Sequence, residues 1–124
     1  MIAKRPSIYI YTNQPDETVL DEICAGIEEE GVFYEISEHA EDDVSAVGDG
    51  SSQEEAGTAH LLAWQAARDS MLGSGIGVTG RACAFSMRGL KAARYVDSYT
   101  DPDKEQCRKL GANSARAIKK QAFK

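Results

Sequence analysis

Ser7-Ile8-Tyr9-Ile10-Tyr11-Thr12, then a helical run, then Val32-Phe33-Tyr34-Glu35-Ile36: this opening decides the fold of the chain. The first stretch is β-branched and aromatic. It stops at the turn-forming Asn13-Gln14-Pro15-Asp16, so it reads as a buried strand. Val19, Leu20, Ile23, Cys24 and Ile27 recur at helical spacing to about Glu30, and Gly31 is a natural helix stop. Val32 to Ile36 makes the second strand. A strand–helix–strand opening implies parallel pairing through a right-handed crossover.

The rest of the chain extends this unit. A second helix is expected from about Thr58 to Leu72, packing through Leu61, Leu62, Trp64, Ala66, Ala67 and Met71. Ile76-Gly77-Val78-Thr79 is a third strand and Ala84-Phe85-Ser86-Met87 a fourth. The turn between them, around Gly80-Arg81-Ala82, is too short for a parallel connection, so the fourth strand returns antiparallel. Ala93 to Tyr99 suggests a fifth strand. After Asp101-Pro102-Asp103 a last helix runs from about Lys104 to Ala122, with Cys107, Leu110, Ala115, Ile118 and Ala122 as its stripe. The expected fold over residues 1–124 is a single α/β domain, a three-layer α/β/α sandwich whose five-stranded sheet is mostly parallel with one antiparallel strand. Residues 40–57, rich in Asp, Glu, Gly and Ser, read as an acidic, flexible loop. They lack the alternating ligand pattern of a calcium-binding loop.

Composition narrows the function. A chain of 124 residues supports one modest core, and a net charge of −6 argues against a nucleic-acid binder. There is no apolar run of about 18 residues for a membrane span, and Met1 to Pro6 lacks the features of a signal peptide. A cytosolic protein is the default. Cys24, Cys83 and Cys107 share no metal-ligand spacing and read as buried thiols. Trp64 reads as a packing residue.

The catalytic inventory is poor. Gly75-Ile76-Gly77-Val78-Thr79-Gly80 matches the dinucleotide motif in letters, but it follows a helix and leads into a strand. Tight strand packing is the better reading, because the pyrophosphate motif must open a helix. No P-loop is present. His39 and His60 are the only histidines, and both read as surface or capping residues. No serine or cysteine sits in a nucleophile's context. The chain therefore reads as a binding subunit with no catalytic or cofactor-binding residue of its own.

One feature stands against stability. Glu28, Glu29 and Glu30 fill the last turn of the first helix, where the helix dipole already presents negative charge. At about 100° per residue they diverge, so the three do not bind one ion. With Leu20, Ile23 and Ile27 facing inward, Glu30 lies near the buried edge, Glu28 on the flank, and Glu29 points away from the core. On periodicity alone the plainer reading is a solvated face, and an outward carboxylate at a helix end is also placed to meet another chain.

Gly26-Ile27-Glu28-Glu29-Glu30-Gly31-Val32, Ala63-Trp64-Gln65-Ala66-Ala67-Arg68 and Gly111-Ala112-Asn113-Ser114-Ala115-Arg116 together resemble the small (β) subunit of the reactivating factor for cobalamin-dependent diol and glycerol dehydratases. The acidic stretch at 40–57 and the segment from Arg81 to Asp103 depart from that pattern. The resemblance implies an α/β sandwich like the dehydratase's own medium (β) subunit, of the anticodon-binding-domain-like kind. It implies a chaperone-like role: a large ATPase subunit partners the small one, and the pair frees damaged cobalamin from inactivated dehydratase by subunit exchange. It further implies that the middle Glu of the motif, Glu29 here, reaches a Mg2+ site in the large subunit, with Glu28, Glu29 and Glu30 at that interface. Two other readings stay open: the medium subunit of a diol or glycerol dehydratase, and a free-standing small-ligand domain using Gly75 to Gly80.

Overall fold

The computed structural model describes residues 6–39, 54–90 and 95–119. Its elements are β1 (Ile8–Pro15), α1 (Glu17–Glu29), β2 (Tyr34–Glu38), α2 (Glu54–Asp69), β3 (Ser74–Gly80), β4 (Ala82–Met87), β5 (Asp97–Tyr99) and α3 (Lys104–Lys119). The sheet order is β2-β1-β3-β4-β5. β1 pairs parallel with β2 and with β3, and β4 is antiparallel to both β3 and β5. Four strands thus share a direction and β4 opposes them, which is the expected sandwich.

The two faces of the sheet are built differently. Ile8, Ile10, Ile76, Val78 and Phe85 meet Val19, Ile23, Ile27, Leu110 and Ala115 in a core of large side chains between the sheet, α1 and α3. On the other face Ala82 and Ala84 meet Ala59 and Ala63 of α2. A Cβ on Gly75 would lie 2.1 Å from the Ala67 nitrogen, and one on Gly77 would lie 2.2 Å from the Ala59 carbonyl oxygen. The letters of the dinucleotide motif therefore serve backbone-close packing of α2 on β3. Gly80, at φ +55°, makes the turn into β4.

α1 and α3 cross with equal intimacy. A Cβ on Gly26 would fall 2.1 Å from the Arg108 carbonyl oxygen, and one on Gly111 would fall 2.0 Å from that of Ile23. Contacts advance in step from Glu22–Arg108 to Glu30–Lys119, so the helices run in the same direction.

Several boundaries differ from expectation, some for a long-range reason. β1 continues through the turn-like residues to Pro15 because β3 supplies partners as far as Gly80. The irregularity is absorbed by a register shift after Asn13 and by Gln14 at φ 49°. β2 starts two residues late, since its register follows β1. α2 begins at Glu54, which removes 54–57 from the expected loop. Ala59, on this helix, rests against Gly77 of β3. The remainder of that loop, 40–53, lies outside the described residues, as do 91–94 and the expected end of the last helix, 120–122. α2 ends at Asp69: Ser70 N–H still bonds the Ala66 carbonyl at 2.9 Å while its hydroxyl donates to the Ser7 carbonyl at 2.6 Å, and Gly73, at φ +75°, turns the chain toward β3. Met71 consequently stands 64% exposed rather than packed. β5 is shortened to Asp97–Tyr99. At the start of α3, Asp103 and Gln106 cap each other's backbone N–H groups at 2.7 and 3.0 Å.

Candidate functional site

The acidic end of α1 finds its counter-charges on α3. α1 has no basic residue in its last turn. Arg116 Nε donates to Glu30 Oε2 at 3.1 Å, and Lys119 Nζ donates to Glu30 Oε1 at 3.1 Å and to the Glu30 carbonyl at 2.8 Å. The Lys119 ammonium thus answers a C-terminal carbonyl of α1 as well as a carboxylate. The Glu30 side chain is only 8% exposed. Its carboxyl is held below the usual range, first by the Lys119 hydrogen bond and then by the two cations, against an opposing effect of burial.

The other two carboxylates are exposed. Glu28 accepts from the Tyr34 hydroxyl at 3.3 Å, and burial raises the pKa of that phenol. Glu29 is 45% exposed, with Arg108 Nη1 at 3.6 Å. The same guanidinium donates through Nη2 to Glu22 Oε2 at 2.7 Å. Arg108 therefore spans two carboxylates two turns apart on α1 and sits where the Gly26 crossing brings α3 closest. Glu22, Glu29, Lys104, Glu105, Arg108 and Lys109 line an open cleft of about 640 Å³. The structure places Glu30 inward and Glu28 beside β2 as helical geometry requires, whereas Glu29, expected to point away from the core, is half-exposed on the side that faces α3.

Sequence reasoning missed Glu22, Arg108, Arg116 and Lys119. A signal was present. Glu22, Gly26 and Glu30 recur every four residues on α1, and Arg108, Ala112 and Arg116 do so on α3. Each triplet places a small residue between two charges, opposite in sign on the two helices.

Other candidates are engaged in packing. The Cys24, Cys83 and Cys107 thiols are all buried, and burial pushes them up to about 11, 12 and 11. His60 Nε2 is 2.7 Å from Ser98 Oγ, its ring stacks on Tyr95, and burial lowers its pKa. His39 packs against Tyr11 in a tilted pair with ring centres 4.1 Å apart. Trp64 donates to the Leu90 carbonyl at 3.1 Å beneath the Arg68 guanidinium. Among the described residues, no three His, Cys, Asp or Glu side chains cluster as metal ligands, and no helix is long and apolar enough to cross a membrane.

A two-helix face carrying paired charges, on a sheet of this order, defines a small α/β domain, and comparison with known proteins gives its class. The family model described as dehydratase medium subunit matches residues 5–55 and 51–124, and the chain belongs to that family. Among solved structures, it is similar to one described as diol dehydratase-reactivating factor complexed with ADP and Mg2+. The identity is 26%, the TM-score 0.77, and 98% of this chain and 99% of that one are covered. A glycerol dehydratase reactivase structure shares the fold at 24% identity and a TM-score of 0.79, over 97% of both chains. No curated protein matches the chain.

Proposed function

We propose that this chain is the small, non-catalytic subunit of an ATP-dependent, chaperone-like reactivase that frees damaged cobalamin from inactivated diol or glycerol dehydratase in the cytosol. Its partners are a large ATPase subunit and the inactivated dehydratase. The observation that carries this reading is the end-to-end likeness to a reactivating-factor chain, at 98% and 99% coverage. The same family holds dehydratase medium subunits, which gives subunit exchange a physical basis: one fold serves two interfaces. Exchange requires the two complexes to differ by only a few kcal/mol, so that nucleotide state in the large subunit selects between them.

Glu29 is the residue proposed to reach Mg2+ in the large subunit, with Glu28 beside it at the interface and Glu30 bracing the helix end behind it. The donor set fits such a role. Mg2+ accepts one or two carboxylates beside oxygen ligands from elsewhere, and a single half-exposed Glu29 supplies one. Bound there, the ion would neutralise phosphate charge in the partner. This chain's part is to present one carboxylate at a fixed helix end. The half-exposed Phe33 and Ile36, on and beside the β2 edge that follows α1, extend the same rim with apolar surface.

The test is a binding titration against the large ATPase subunit, with and without Mg2+. Tight association that weakens on Mg2+ removal supports the reading, and Glu29→Gln should abolish that Mg2+ sensitivity without unfolding the chain. The family match favours a second reading, a dehydratase medium subunit. Stable assembly with dehydratase large and small subunits, and none with the ATPase subunit, would establish it instead.

A further inference from the structure

We infer that Arg108 is a shared counter-ion that holds Glu29 in the unbound chain and hands it to a divalent cation, while Glu22 keeps the guanidinium. The inference rests on the reading of Glu29 as a Mg2+ ligand in trans and concerns how that ligand is released.

The geometry is asymmetric. Arg108 makes a 2.7 Å hydrogen bond to Glu22, whose side chain is 19% exposed, and a longer 3.6 Å contact to Glu29, which is 45% exposed. A guanidinium presents several N–H donors in a rigid fork, so one prong can let go while the other stays bonded. When Glu29 turns toward a cation, Arg108 retains the closer and more sheltered partner. Neither charge is left unpaired, and the cost of the move is that of an exposed ion pair. The backbone beneath does not have to follow, because the Gly26 and Gly111 crossing clamps Arg108 against α1. Lys104, Arg108 and Lys109 balance Glu22, Glu29 and Glu105 around the same cleft, so its carboxylates already have cations close by before a divalent ion arrives.

The hand-over predicts effects of opposite sign from two neighbouring neutralisations. Arg108→Gln removes the competitor and should lower the Mg2+ concentration for half-maximal association with the large ATPase subunit by about two- to fivefold, the range expected for one exposed ion pair. Glu22→Gln leaves the guanidinium to Glu29 alone and should raise it by a similar factor. The double variant should match Arg108→Gln, because Glu22 acts only through the guanidinium. Arg108→Lys keeps the charge but loses the fork; it should also lower the Mg2+ requirement, and it serves if the Gln variant is unstable. Titrations are run at constant ionic strength, with melting temperatures measured alongside. Single variants that shift the Mg2+ requirement in the same direction, or not at all, would overturn the hand-over if Glu29→Gln still abolishes Mg2+ sensitivity. If Glu29→Gln leaves that sensitivity intact, the metal-ligand reading falls and the hand-over falls with it.

Discussion

Gly26→Ala tests the helix crossing on which the candidate site is built. The added Cβ would lie 2.1 Å from the Arg108 carbonyl oxygen, 2.9 Å from the Ala112 nitrogen and 3.0 Å from the Arg108 carbonyl carbon. All three are backbone atoms, so no side chain can swing aside. An ordinary carbon–oxygen contact of about 3.3 Å requires α1 and α3 to part by roughly 1 Å. A gap of that size forfeits a quarter to a half of the dispersion energy of each contact beside it. The strain belongs near the top of the ~1–3 kcal/mol range for overpacked cores, and alanine's better helix propensity offsets about 1 kcal/mol. The expected net loss is about 2 kcal/mol, or roughly 8 °C in melting temperature for a domain of this size. Gly57→Ala is the internal control, since nothing lies within 4 Å of its added Cβ in α2. It should stabilise by about 0.5–1 kcal/mol, raising the melting temperature by about 2–4 °C. Both changes stiffen the unfolded chain alike, so the difference between them isolates tertiary packing. Thermal and urea melts followed by circular dichroism read it directly. A Gly26→Ala protein as stable as the wild type would refute the crossing.

The other expectations concern the charges and thiols. Glu30→Gln should cost about 1–3 kcal/mol at pH 7, because Arg116 and Lys119 lose a sheltered carboxylate. Since folding depresses the Glu30 pKa, its contribution is fully present above the ordinary carboxylate value and is lost as pH falls through the folded one. Urea midpoints of variant and wild type should therefore converge below about pH 4, and a constant gap down to pH 2 would contradict the pairing. Glu29→Gln, by contrast, should leave the melting temperature within about 1 °C while removing the Mg2+ response of partner binding. Cys24, Cys83 and Cys107 should resist a thiol reagent at pH 8 in the native chain and react in denaturant. Rapid native labelling would show that the burial is incomplete.

The sequence disclosed features governed by short-range periodicity. The β1–α1–β2 opening was legible because each element's apolar pattern lies within a few residues. The Leu20, Ile23 and Ile27 stripe was enough to turn Glu30 inward, but not to show that the half-exposed Glu29 faces α3. Much of what failed depended on distant partners. Pro15 reads as a turn residue until β3 extends to meet it. Leu72 reads as helical until Gly73, at φ +75°, turns the chain toward β3. An acidic composition disguised the first turn of α2. At the candidate site, the anomaly of three glutamates at a helix C-terminus was plain from sequence. Its resolution by Arg108, Arg116 and Lys119 was not, because Arg116 and Lys119 stand 86 and 89 positions from the Glu30 they neutralise.

That separation has a consequence for how the protein is made. During synthesis, α1 leaves the ribosome with its acidic end long before the cations that settle it have been added. Until α3 docks, the segment carries mutually repelling charges at a helix end that already disfavours them, so α1 alone is a poor folding nucleus. The paired rim comes into being only when α1 and α3 lie against each other. The charge pattern of that rim is thus a property of the folded chain, absent from either helix alone.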